Sequence, residues 1–217
     1  MRVAASGRTT TAFMHWLCCA FVFWFSGAVF ASDALGLAWL QAQVRADGSL
    51  AQEGVSAALP VQGRAEVATT LQAMAGTVPA VLLNAIDQTS GTSVEILARK
   101  ALAKQLTAPS TAYLDALAQQ QNPDGGFGAQ QGYASNVLDT AWALAAFTNE
   151  VNAYGGAVGQ AIAWLIGAQQ SDGQWRLAPD GDALVPTALA VQALQPYRQN
   201  VVVAAALSKA RAWLLAE

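Results

Sequence analysis

The sequence predicts an all-α protein built from antiparallel helical hairpins repeated along the chain, and three observations lead there. The segments "AWLQAQVRADGSL" (38–50), "ALAQQQNPDGGFG" (116–128) and "AWLIGAQQSDGQW" (163–175) share one pattern; Trp39 precedes Asp47 by the same interval that separates Trp164 from Asp172. A second segment follows each Asp-Gly: "EVATTLQAM" from Glu66, "DTAWALAAF" from Asp139 and "PTALAVQAL" from Pro186. In both halves apolar residues recur at three and four, as in Ile162, Leu165 and Ile166 or Val137, Ala141, Leu144 and Phe147, on Ala-rich backgrounds that favour helix.

Taken in order, residues 1–31 stand apart. Arg2 and Arg8 form a basic start, and "AFMHWLCCAFVFWFSGAVFAS" is an apolar run closing on small residues, with Val29 and Ala31 at the positions a signal peptidase reads. This predicts a secretory signal peptide; an uncleaved N-terminal anchor is the competing reading, because the run is long enough to cross a bilayer. The remaining residues, 32–217, form one predicted repeat domain. Its first hairpin runs through Trp39, turns at Asp47 and Gly48 and returns through Glu66. Val78 to Leu106 reads as a diverged hairpin without Asp-Gly, with Pro79 in a first turn and Thr92 or Ser93 as cap. The next turn, Asp124, Gly125, Gly126 and Phe127, is stopped by glycine and by Pro123, which cannot continue a helix. Asp172, Gly173 and Trp175 mark the third turn, and "AWLLAE", with Trp213, begins a further first helix. The expectation is four hairpins plus one unpaired helix.

Composition limits function. The chain has 217 residues, 54% hydrophobic and 12% charged, enough for one sizeable core. Cys18, Cys19 and His15 all fall in the signal segment, so the remainder has neither Cys nor His and a formal charge of −5, from nine basic and fourteen acidic residues. No disulfide framework is expected. No basic stripe favours nucleic acid. "PDGGFG" lacks the Lys-Ser/Thr of a phosphate loop and reads as a tight turn under Phe127.

The succession of Trp-Leu, Gln, Asp-Gly with an aromatic, then Thr-Ala in an Ala/Leu helix resembles the prenyltransferase and squalene-oxidase repeat. That repeat builds the α/α toroids of terpenoid cyclases, protein prenyltransferases, macroglobulin thioester domains and corrinoid carriers. The resemblance implies an incomplete α/α toroid of about four and a half hairpins, either an open arc or a piece of a longer ring. It also implies that the second helices face a central cavity, their starts clustering at one mouth. Arg64, Glu66, Ser135, Asn136, Asp139, Asp182 and Thr187 are the residues expected there. Among them Arg64, Glu66, Asn136, Asp139 and Asp182, with Trp142, are the ligand-binding candidates. The tryptophans at equivalent positions, Trp39, Trp164 and Trp213, read as packing between neighbouring hairpins. Gln43, Gln120, Gln121, Gln169 and Gln170 resemble those that tie hairpins together.

The family's catalytic sets are incomplete in this sequence. Laid on the cyclase motif Asp-x-Asp-Asp-Thr-Ala, "NVLDTA" keeps only Asp139, and Leu138 replaces the proton-donating acid. Zinc ligands of the prenyltransferase kind and the thioester pentapeptide are missing. The first 1–31 aside, the reading is therefore an exported module, periplasmic or secreted, with no cofactor, no metal and no confident catalytic residue. A small hydrophobic ligand or a protein partner is expected on its concave face, and open repeat edges invite self-association. A terpenoid-cyclase-like enzyme, or a fragment of one, relying on Asp139 is the alternative, along with three acids, Glu66, Asp139 and Asp182, meeting as in some glycosidases, and a corrinoid-carrier-like role.

Overall fold

The computed structural model describes residues 33–54, 59–106, 111–178 and 181–216. The predicted signal segment lies outside them. Among the described residues the regular structure is helical, apart from an isolated antiparallel bridge between Val44 and Leu50. The helices are α1 (33–43), α2 (Pro60–Ala75), α3 (Ala80–Asp87), α4 (Val94–Gln105), α5 (Thr111–Ala118), α6 (Val137–Phe147), α7 (Val151–Ala168), α8 (Leu184–Leu194) and α9 (Val201–Leu214). No helix among the described residues is long and apolar enough to cross a membrane.

The helices form two layers. α2, α4, α6 and α8 pack against one another in that order as the inner layer, while α3 lies on α2 and α4, α5 on α4, α7 on α6, and α9 on α7 and α8. This is the arc of hairpins that the repeats predict, an incomplete α/α toroid whose inner layer is made of the second helix of each pair. Its core is one large cluster around Phe127, Leu144, Phe147, Leu165, Trp175 and Leu194, and a smaller one around Val61, Leu71, Leu82, Ile86 and Ile96. Each such side chain, fully buried, contributes about 1.5–3 kcal/mol.

The turns show why glycine is needed. Gly48, Gly125 and Gly173 have φ of 79°, 88° and 102°, and each turn seats on the next outer helix. A Cβ at Gly173 would lie 2.5 Å from the Lys209 carbonyl oxygen of α9, and one at Gly48 only 2.1 Å from that of Val81 in α3. A side chain there would be excluded by backbone that cannot move aside.

Three element positions differ from expectation. α2 begins at Pro60, whose fixed φ suits a first helical residue, and the Gln62 side chain accepts the Leu59 N–H at 3.0 Å. Arg64 and Glu66, expected at the helix start, therefore lie in its second turn. α8 begins at Leu184, two residues before Pro186, which fits because the first-turn N–H groups have no intrahelical partner. Trp39, expected to pack between hairpins, is 59% exposed. Its counterpart Trp164 instead leans on the preceding hairpin's turn, donating from Nε1 to Asp124 Oδ2 at 3.0 Å and closely approaching Gly126. Among the described residues no hairpin turn lies against Trp39; Trp213 is half-buried.

Candidate functional site

The inner helices enclose a cavity of about 400 Å³ on the concave face. Its walls are largely alanine and leucine: Ala65 and Ala68 of α2, Leu102 and Ala103 of α4, Ala141 and Ala145 of α6, Leu189 and Ala193 of α8. Small residues at these positions are what open the space, since larger side chains on closely packed helices would fill it. A pocket of this size and apolar character suits a small organic ligand.

Two polar groups of residues frame it. In the first, Arg99 of α4 is buried and its guanidinium meets three groups. Nε donates to Glu95 at 2.9 Å, Nη1 donates to Glu66 at 2.8 Å, and the planar group sits 4.0 Å over the Trp142 ring. Such stacking restrains both the cation and the aromatic wall. Gln62 Nε2 adds a donor to the same Glu95 oxygen at 2.9 Å. In the second, Gln105 at the end of α4 donates to the Ala146 carbonyl at 2.7 Å and accepts from Asn149 at 2.9 Å. Gln105, Asn149 and Gln192 are all neutral and all line the cavity.

The candidate residues read from sequence separate in the structure. Glu66 and Trp142 line the cavity and meet through Arg99. Asn136 and Asp139 do not line it: Asn136 caps α6, its Oδ1 accepting the Asp139 N–H at 3.0 Å while its amide donates to the Asp139 carboxylate. Burial pushes the Asp139 carboxyl above the usual carboxylate range; the Asn136 hydrogen bond opposes this and the charge of Glu95 adds to it. Arg64 does not line the cavity; it forms an ion pair with Glu53, Nε lying 2.6 Å from Oε1 and Nη2 donating to Oε2 at 2.9 Å, while Nη1 donates to the Ala85 carbonyl at 3.0 Å. Asp182 is exposed and accepts the Leu184 N–H at 3.1 Å, a helix-start role. Glu66, Asp139 and Asp182 therefore do not converge on one point lined by the cavity.

Sequence reasoning missed Arg99, Gln105 and Asn149. Arg99 and Gln105 sit on the diverged hairpin, which lacks Asp-Gly, so the repeat register gave no reason to enrol α4 in the site. The Glu95–Arg99 spacing of four was the available signal, because it places the two on one helical face.

No family model matches the sequence, and no curated protein matches it in sequence. Among solved structures, an ent-copalyl diphosphate synthase from Streptomyces platensis superposes with a TM-score of 0.64 at 23% identity, covering 83% of this chain and 39% of that one. The likeness establishes the fold as an α/α toroid of the terpenoid-cyclase kind. This chain spans about two fifths of the length of that synthase.

Proposed function

We propose that this chain is an exported binding module of the terpenoid-cyclase fold that holds a small apolar ligand in its concave cavity without transforming it. The observation that carries the reading is the cavity itself: about 400 Å³, walled by alanine and leucine from four inner helices, with the Trp142 ring braced by Arg99. Export rests on the N-terminal basic and apolar pattern alone. The absence of turnover rests on Leu138 in place of the motif's acid and on Asp139 lying outside the cavity lining, tied to its own cap.

Calorimetric titration with 1-adamantanol, a compact neutral hydrocarbon cage, tests the reading. One molecule is expected to bind per chain, and Ala145→Trp, which fills the cavity, is expected to abolish binding while leaving the circular dichroism spectrum helical. Absence of binding by this alcohol and by the amine and carboxylate of the same cage would remove the proposal.

The raised Asp139 carboxyl supports a second reading, a cyclase acting on a polyprenyl diphosphate. Incubation with geranylgeranyl diphosphate decides between them. Conversion to a cyclic product that Asp139→Asn abolishes would establish the enzyme, whereas unconverted substrate with both proteins supports the binding module.

A further inference from the structure

The charges around the cavity are unbalanced in a way that selects among apolar ligands. The lining holds two ionised side chains, Glu66 and Arg99. Arg99 is 7% exposed and already serves Glu95 through Nε, Glu66 through Nη1 and the Trp142 ring through one face. Glu66 engages Arg99 through Oε1 only, leaving Oε2 without a protein partner among the described residues, and its side chain is 63% exposed. Behind them stands Glu95, shared by Arg99 and Gln62. Two carboxylates thus share one guanidinium. The opposite group, Gln105, Asn149 and Gln192, adds no charge to offset them.

We infer that the ligand of this cavity is an apolar molecule carrying a single ammonium group, which Glu66 receives while the hydrocarbon lies along Leu102, Ala145, Leu189 and Ala193. This rests on the cavity being the binding site proposed above. An anionic head placed at Arg99 would face Glu66 and Glu95, the two carboxylates that already share its guanidinium. A neutral head would gain only hydrogen bonds that water supplies equally well. A cation adds Coulomb attraction to a carboxylate that has a free oxygen, in a partly desolvated mouth where charge is screened less than in bulk water.

The test uses three probes with the same cage, 1-adamantanamine, 1-adamantanol and 1-adamantanecarboxylate, titrated calorimetrically into the protein at neutral pH and low salt. The amine is expected to bind about fivefold more tightly than the alcohol, and the carboxylate most weakly, in keeping with one partly exposed ion pair. In Glu66→Gln the amine and the alcohol should bind with equal affinity, and in the unmodified protein the amine's advantage should shrink at about 1 M salt. Equal affinities for amine and alcohol, or a carboxylate that binds tightest, would overturn the inference while leaving the cavity reading intact. Failure of all three probes would remove both.

Discussion

In both the Asp47–Gly48 and the Asp172–Gly173 turns the aspartate Oδ1 accepts the backbone N–H two residues on, from Ser49 at 2.9 Å and from Gln174 at 3.2 Å. The surroundings then diverge. Beyond the later turn Trp175 is fully buried, its N–H donates to Thr187 Oγ1 at 2.9 Å, and the Thr187 hydroxyl reaches back to the Trp175 carbonyl at 3.3 Å. Gln169 ties the turn to α9, donating to the Gly173 and Ala206 carbonyls, both at 2.9 Å. The Asp124 turn repeats the arrangement with Phe127, Thr140 and Gln121, the last reaching Gly125 and Ala157 of α7. At the first turn Leu50 replaces the aromatic, and in the sequence register Val67 and Val44 stand where the threonines and glutamines are. There the Leu50 N–H goes to Glu53 at 3.2 Å, and Glu53 is held by Arg64.

The difference teaches that one hairpin geometry can be fastened in two ways. Where the repeat signature is intact, neutral side chains close onto buried backbone groups, which would be costly to leave unpaired. Where it has decayed, ion pairs stand in: Arg64–Glu53, Arg99–Glu66, Arg99–Glu95 and Lys104–Asp87 all lie in the N-terminal half. The second kind of fastening is more sensitive to salt and pH, and it is also the one that frames the cavity.

The largest test of this contrast is Trp175→Ala. Loss of a fully buried indole and of its 2.7 Å bond to the Leu165 carbonyl is expected to cost about 3–5 kcal/mol in denaturant unfolding. Leu50→Ala, at the half-buried first-turn equivalent, should cost clearly less; equal losses would break the contrast. Next, Arg99→Met should cost about 2–3 kcal/mol, since it leaves the partly buried Glu95 with the Gln62 amide but without a cation. Hydrogen exchange should then accelerate in α2 and α4 while α8 stays protected, and accelerated exchange across all helices would show that the halves are not separately fastened. Gln169→Ala is expected to cost about 1–2 kcal/mol by leaving the Gly173 carbonyl without this donor and cutting the turn's tie to α9. Gln43→Ala should stay within about 0.5 kcal/mol, because among the described residues that amide bonds only to Trp39 of its own helix.

The smallest expected effect is one of pH. Tyr113 donates to Asp87 Oδ1, a bond that, with burial, pushes its phenol up to about 12, while the same bond, with help from Lys104, holds the Asp87 carboxyl below its ordinary 3.8. The raised phenol contributes stability that is complete below its unfolded pKa near 10 and is lost as pH rises through about 12. The depressed carboxyl contributes stability present above about 3.8 and lost as pH falls through its folded value. Tyr113→Phe should therefore flatten the alkaline limb of stability against pH and shrink the acid limb as well; unchanged limbs would mean the pair is not coupled to folding.

Much of the fold was legible in the sequence because its signals are local. Asp-Gly turns, helical spacing and the Asn136 and Ser93 caps act within a few residues, and Ser93 does accept the Ile96 N–H at 3.3 Å. Less of the site was legible. Asp139, singled out by motif register, turned toward Asn136, whereas Arg99, on a hairpin without the motif, became the cation between Glu66 and Trp142. Register places a residue along a helix but says little about which of several neighbours its side chain will meet.

The amino-acid order alone determined that hairpins would form, where the chain would turn, and that glycine would stand at each turn, since these depend on φ, capping and periodicity over short stretches. Which side chains face a shared hollow, which carboxylate keeps a free oxygen and which tryptophan is left uncovered were decided only when helices distant in sequence came together. Burial, Coulomb balance and close approach are properties of that assembled packing and exist in no single segment.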